Sequence, residues 1–243
     1  MSGNGPDQGT SYLKHLVLKN YRCFQQIETS FEPDLTVFTA PNGGGKTALL
    51  DGAAIALRYF VDTLMGKAAS KGFDRTDMRL LYVPIVGMVE QFPTTLEAQG
   101  AFDGIETFWS RSLATREGRT DRAGAKELKS RAERLRQGLQ DYSNGQRDTP
   151  PELPVLGYYG TGRLWDELRV SRGKRHEALS FDLPIAAYED CLSPSSNFRF
   201  FALWFERVVR EAEKERSSGV ASRHRPQALL ETVRRATDVV LDA

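Results

Sequence analysis

The chain has 243 residues, 33 Lys and Arg against 32 Asp and Glu, and 40% hydrophobic residues. That length suits one large domain or two small ones, and the net charge of +1 argues neither for nor against nucleic acid, leaving that question to local patches. The two cysteines, Cys23 and Cys191, lie far apart, which excludes a thiolate metal cluster by spacing and points to reduced thiols in a cytoplasmic protein.

Residues 1–11, MSGNGPDQGTS, read as a flexible polar N-terminus without the basic start and apolar core of a signal peptide. YLKHLVLKNYRCF (12–24) alternates as a strand does, and QQIETSFE suits a second strand. Pro33-Asp34 marks a turn. LTVFTA (35–40) is a short apolar run of the kind buried on both faces of a sheet. Leu50, Ala53, Ala54, Leu57, Val61 and Leu64 then recur at helical spacing up to Met65, with Gly66 as the stop.

Residues 66–80 read as a loop. The apolar run LLYVPIVGMV (80–89) is too short to span a bilayer and carries Pro84 and Gly87, so no membrane association is expected. Two β-like runs flank Asp103-Gly104, a hairpin signal. A charged helix covers 121–142, with Leu128, Ala132, Leu135 and Leu139 as a thin apolar stripe, and a linker follows over 143–152. LPVLGYYGTGRLW (153–165) reads as a buried-type strand running into a glycine turn. Helices are expected over 196–216 and 226–241. The divisions are a lobe at 12–80, a β-hairpin subdomain at 81–120, the charged helix and linker at 121–152, and a strand plus helical lobe at 153–243, incomplete at its C-terminus. The fold class is α/β, with a mixed central sheet, a β-hairpin insertion and a helical second half.

Positions 40–47 read A-P-N-G-G-G-K-T. This fits a phosphate loop with Ala in place of the first Gly. Gly43, Gly44 and Gly45 can turn successive backbone N–H groups into one concavity, and the helix that follows offers its unpaired N–H groups and positive end to an anion. Lys46 would reach the β- and γ-phosphates, and the Thr47 hydroxyl would take Mg²⁺. With the strand before and the helix after, the expectation is a P-loop NTPase fold binding ATP and Mg²⁺ through Pro41, Asn42, Gly43, Gly44, Gly45, Lys46, Thr47 and Ala48, with Lys46 and Thr47 also the catalytic candidates.

The wider block LKNYRCFQQIETSFEPDLTVFTAPNGGGKTALLDGAAIAL resembles the N-terminal half of the SMC/RecF-like ABC-type ATPases. The matching residues are Asn20, Tyr21, Arg22 and Phe24, then Pro41 to Thr47, within about residues 12–65. LPVLGYYGTGRLW and YEDCLSPSSNFRFFALWFE also look like segments of bacterial AAA-type ATPases of this group, some of which serve in phage defence. The resemblance implies an ATPase head that dimerises with a second head around two nucleotides, in DNA maintenance or anti-phage defence, with DNA and an effector nuclease as candidate partners. It places Arg22 near the phosphates, against the alternative of a strand-end arginine paired at the surface. Tyr21 reads as a half-buried strand tyrosine, with packing near the base as its alternative.

Hydrolysis needs more than a phosphate cradle. The family's apolar strand ending in Asp-Glu has its nearest counterpart in VVLDA (239–243), which has Ala243 where Glu belongs and continues a helical pattern. Its Leu-Ser-Gly-Gly-like signature is nearest CLSPSSN, where Pro194 replaces glycine and Ser195 or Ser196 suits a helix cap. Gln91 and the turn at Gly160 to Arg163 compete for the role of the coupling glutamine segment. The expectation is therefore the N-terminal part of a longer ATPase that binds nucleotide and turns it over only when a C-terminal half is supplied. The alternatives are a non-catalytic assembly module and a P-loop small-molecule kinase, the latter disfavoured by the Asn-Tyr-Arg strand.

Residues 111–136 hold nine Lys/Arg and four Asp/Glu, and Arg169, Arg172, Lys174, Arg175 and His176 form a second basic cluster. Either could hold a phosphate backbone; a solvated helix face with interleaved acids is the favoured reading of the first. His15, His176 and His224 are scattered and suggest no metal site.

Overall fold

A computed structural model describes residues 11–67, 72–102, 104–160, 184–193, 198–218 and 226–241. Residues 1–10, Thr161 to Arg163, the basic cluster at 169–176, Pro194, Ser195, Ser196 and His224 lie outside the described residues.

The chain divides into two compact units, Met1–Tyr158 and Tyr159–Ala243. In the first, β1 (Tyr12–Tyr21), β2 (Phe24–Ser30), β5 (Thr94–Phe102) and β6 (Ile105–Leu113) form a four-stranded sheet in the order β2-β1-β5-β6. Every pairing in it is antiparallel. The α/β class is as expected, and the hairpin around Asp103-Gly104 is half of the central sheet itself. Two-residue connections fix the register at both hairpins: Tyr21 faces Phe24, and Phe102 faces Ile105 with Gly104 at φ +68°.

Alternation along β1 sends Leu16 and Leu18 to the core face, both fully buried. Onto this face packs α1 (Lys46–Leu64), covered in turn by α2 (Lys126–Ser143). Gly52 lets α1 rest on β1, because a Cβ there would stand 2.6 Å from Leu18 Cδ1. The buried face of α1 runs through Leu49, Gly52, Ala56 and Phe60, so Leu50, expected on the apolar side, is exposed. Phe60 stacks on Phe102 at 4.5 Å, and Trp109 donates to the Ala56 carbonyl at 3.0 Å. Gly66, at φ +72°, ends α1 as expected. On α2, Leu128, Ala132 and Leu139 are buried.

Three stretches depart from expectation. Residues 35–40 form no strand, and Leu35 and Val37 are 74% and 71% exposed. A strand buried on both faces needs hydrogen-bonded neighbours, and no described strand lies along this one. Local contacts hold it instead: Phe31 meets Phe38 edge-on at 5.7 Å, and Glu32 N donates to Thr36 Oγ1 at 2.8 Å. Residues 153–160 likewise form no strand, and Val155 is 99% exposed. Conversely, the apolar run at 80–89 folds into a hairpin of β3 (Leu80–Val83) and β4 (Gly87–Glu90), closed by Pro84, Ile85 and Val86. Ile85 there takes φ +72°, a conformation that a branched residue rarely adopts, so the turn carries little sequence signal.

In the second unit a short 3₁₀ turn (Pro184–Tyr188) precedes α3 (Phe198–Ser218) and α4 (Pro226–Leu241), which pack together. Arg210–Glu206, Arg207–Glu211 and Arg235–Glu231 brace the two helices one turn apart. α4 extends through Leu241, so VVL of VVLDA is helix.

Candidate functional site

The glycines at 43–45 do what an anion-binding turn requires. Gly43 and Gly45 take φ +80° and +88°, values that glycine adopts without a steric penalty. Gly44 N donates to the Pro41 carbonyl at 3.0 Å, closing a turn in which a Cβ on Gly44 would strike Ala40 and Pro41. A Cβ on Gly45 would lie 2.4 Å from Phe24 Cζ and 2.9 Å from Cys23 Sγ. The β1–β2 turn therefore sits directly against the loop.

Gly45 is the N-cap of α1, with no side-chain cap, and the first turn holds no acidic residue. The first N–H groups of the helix have no side-chain acceptor, and its positive end is not neutralised. Lys46, Thr47 and Ala48 open the helix. The Lys46 ammonium turns back over the loop and donates to the Ala40 carbonyl at 2.5 Å and the Pro41 carbonyl at 3.0 Å. Thr47, Pro41 and Asn42 are exposed, and Ala48 is buried beneath. The donor set suits a polyphosphate: backbone N–H groups, one mobile cation, and one hydroxyl. For Mg²⁺ the protein offers the Thr47 hydroxyl, in keeping with an ion that takes most of its ligands from phosphate and water. Among the described residues no group of three or more His, Cys, Asp or Glu could hold a metal by itself.

Arg22 stands at φ +47° in the β1–β2 turn beside this loop. Its Nη1 donates to Asp51 Oδ2, and its Nε and Nη2 lie 3.0 and 2.9 Å from Asp77 Oδ1. Burial by itself would lower the guanidinium pKa, but its hydrogen bonds to the Asp51 and Asp77 carboxylates and the charge of the Tyr21 phenol group raise it above the ordinary arginine value. Asp77 is only 2% exposed and also accepts from Asp74 N at 2.7 Å. Asp51 Oδ1 accepts from the Tyr158 hydroxyl, whose pKa is raised by burial first and then by this bond. Tyr21 is fully buried beneath the Arg22 guanidinium, 5.3 Å from its ring centroid. Sequence reasoning named Arg22 and missed Asp51, Asp77 and Tyr158. They lie 29, 55 and 107 positions from their partners, and no local pattern reports such pairings. Gln91 is built into the base of the β3–β4 hairpin, its backbone N donating to the Arg79 carbonyl at 2.8 Å.

Part of the basic stretch at 111–136 is taken up by burial and by pairing with acids. Arg111 is buried, its pKa pushed down to about 10 by burial and then by Arg122, and both guanidiniums lie within 6 Å of the Tyr59 ring. Arg116 pairs with Glu90, Lys129 with Glu133 and Arg131 with Glu127. Among the described residues no helix is long and apolar enough to cross a membrane.

Comparison with known proteins points to a family. A stretch of this chain is 49% identical over 39 residues to the DNA replication and repair protein RecF of Lacticaseibacillus casei, covering 16% of this chain and 10% of that protein. The RecF of Lactobacillus acidophilus is 28% identical over 85 residues, 35% of this chain and 21% of its own length. That of Corynebacterium jeikeium is 38% identical over 40 residues, 16% and 9% respectively. The matches thus span about a tenth to a fifth of these relatives. A family model described as an AAA domain matches residues 15–216, most of the chain, the sheet, the loop and α3 included. The chain belongs to the AAA domain family, in the SMC/RecF-like group that its N-terminal motif resembles.

Proposed function

We propose that this chain binds ATP with Mg²⁺ at residues 41–48 and serves as the nucleotide-binding part of an SMC/RecF-like ATPase acting on DNA, in its maintenance or in defence against phage. The observation that carries the reading is the uncapped start of α1, where Gly45 takes φ +88° and the Lys46 ammonium turns back onto the Ala40 and Pro41 carbonyls. Backbone N–H groups of Gly43, Gly45, Lys46, Thr47 and Ala48 would hold the phosphates, Lys46 would reach the terminal ones, and Thr47 would give its hydroxyl to the metal. Mg²⁺ supplies charge neutralisation of the phosphate oxygens when bound. Arg22 contributes from beside the cradle, its charge shared with Asp51 and Asp77.

Turnover on this reading requires an Asp-Glu pair and a signature segment from outside residues 1–243, on a further part of the polypeptide or on a partner head. DNA as the target follows the DNA replication and repair role for which the RecF relatives are named, and an effector nuclease is the partner expected in phage defence. Titration calorimetry with ATP and Mg²⁺ tests the site. Lys46→Ala should weaken binding roughly 10- to 100-fold, the scale of a lost charge-assisted hydrogen bond. Equal affinity in wild type and variant would remove the site assignment.

A further inference from the structure

Asp51 lies on α1 four residues beyond Thr47, so the two side chains are neighbours on one helix face. Each of its carboxylate oxygens has its own partner. Oδ2 takes Arg22, which is pinned in turn to Asp77 by side chain and by backbone, Arg22 N to Asp77 O at 2.8 Å. Oδ1 takes the Tyr158 hydroxyl. One cation against two carboxylates leaves the half-buried cluster one negative charge in excess, which a hydroxyl donor such as Tyr158 stabilises.

Tyr158 ends a segment without regular secondary structure that is anchored at its other end as well. Pro151 packs against α2 where Gly138 leaves room, a Cβ there standing 3.4 Å from Pro151 Cγ, and Pro154 is buried between the two ends. The 151–158 segment thus runs from α2 to the phosphate-loop helix. Lys46 donates to two loop carbonyls, and a bound phosphate would compete for that ammonium. Any resulting shift of the first turn of α1 moves Asp51, one turn further on.

We propose that Asp51 is a positioning residue that couples the phosphate loop to the 151–158 segment through Tyr158, with Arg22 and Asp77 as its fixed anchor. This rests on the nucleotide reading of residues 41–48. Coupling of this kind is a difference between two states and must be read as one. Hydrogen–deuterium exchange of the whole chain with and without ATP and Mg²⁺ reads it. In the wild type, nucleotide should slow exchange both at 41–50 and at 151–158. In Tyr158→Phe, which keeps the ring and removes the donor, slowing at 41–50 should persist and slowing at 151–158 should be lost. Asp51→Asn should lose the response at 151–158 too. A purely structural tie would change exchange at 151–158 equally with and without nucleotide, leaving the response intact. The inference is overturned if Tyr158→Phe keeps the full response at 151–158, or if the wild type responds only at 41–50; the phosphate-loop reading survives either result. If neither segment of the wild type responds, the phosphate-loop reading falls, and the inference with it.

Discussion

Leu18 and Val155 are both apolar residues outside the helices, and they meet opposite environments. Leu18, on β1, has a neighbour on either side in the sheet and Gly52 of α1 against its end, and none of it is exposed. Val155, in the 151–158 segment, is almost wholly exposed, as Leu35 and Val37 are in large part. An apolar run marks a segment that gains from burial, but burial comes only where other strands complete the ladder and a helix closes the face. The sheet β2-β1-β5-β6 supplies both, because the β1–β5 pairing joins its two hairpins and α1 packs on the face they form.

The comparison makes graded predictions. Leu18→Ala should cost about 2–5 kcal/mol, as deletion of a fully buried leucine does, with an urea midpoint well below that of the wild type. Gly45→Ala comes next, at about 1–3 kcal/mol, since its Cβ meets Phe24 and its φ lies in the left-handed region; thermal melts with and without ATP separate the loss of fold from the loss of binding. Trp109→Phe keeps an aromatic ring in the core but removes the indole N–H that donates to the Ala56 carbonyl, for about 1 kcal/mol. Val155→Thr should stay within about 0.5 kcal/mol of wild type. A large loss in the same urea series would mean that this valine is covered in solution.

The smallest effect is in alkali. Burial holds the Tyr21 and Tyr158 phenols above the ordinary value of 10.0. The unfolded chain therefore releases those protons first, so their contribution to stability is complete below pH 10 and is lost as pH climbs toward the folded values. Tyr158→Phe should make the fall in melting temperature above pH 10 slightly shallower, as a pH series of melts would show.

Much of the first unit was readable from local signals. Alternation gave β1 its core face, Asp103-Gly104 its hairpin, and the glycine-lysine-threonine run the start of α1. The misreadings share a cause. Periodicity reports which residues favour burial and not which strands are present to bury them, so 35–40 and 153–160 read as sheet. The β3–β4 hairpin was hidden for the reverse reason, its turn resting on Ile85 at φ +72° rather than on a residue that favours that shape. Leu50 went to the wrong face because Gly52, which carries no apolar signal, marks the side on which α1 touches β1. The Arg22–Asp51–Tyr158 cluster joins segments far apart in sequence, where spacing rules have nothing to say.

The most direct test of the central claim is a crystal structure of the chain with Mg²⁺ and a non-hydrolysable ATP analogue. The phosphate oxygens should accept from the backbone N–H groups of Gly43, Gly45, Lys46, Thr47 and Ala48, with Lys46 Nζ drawn from the Ala40 and Pro41 carbonyls onto the terminal phosphates and Thr47 Oγ1 on the metal. Phosphates bound elsewhere, with Lys46 still on those two carbonyls, would contradict it.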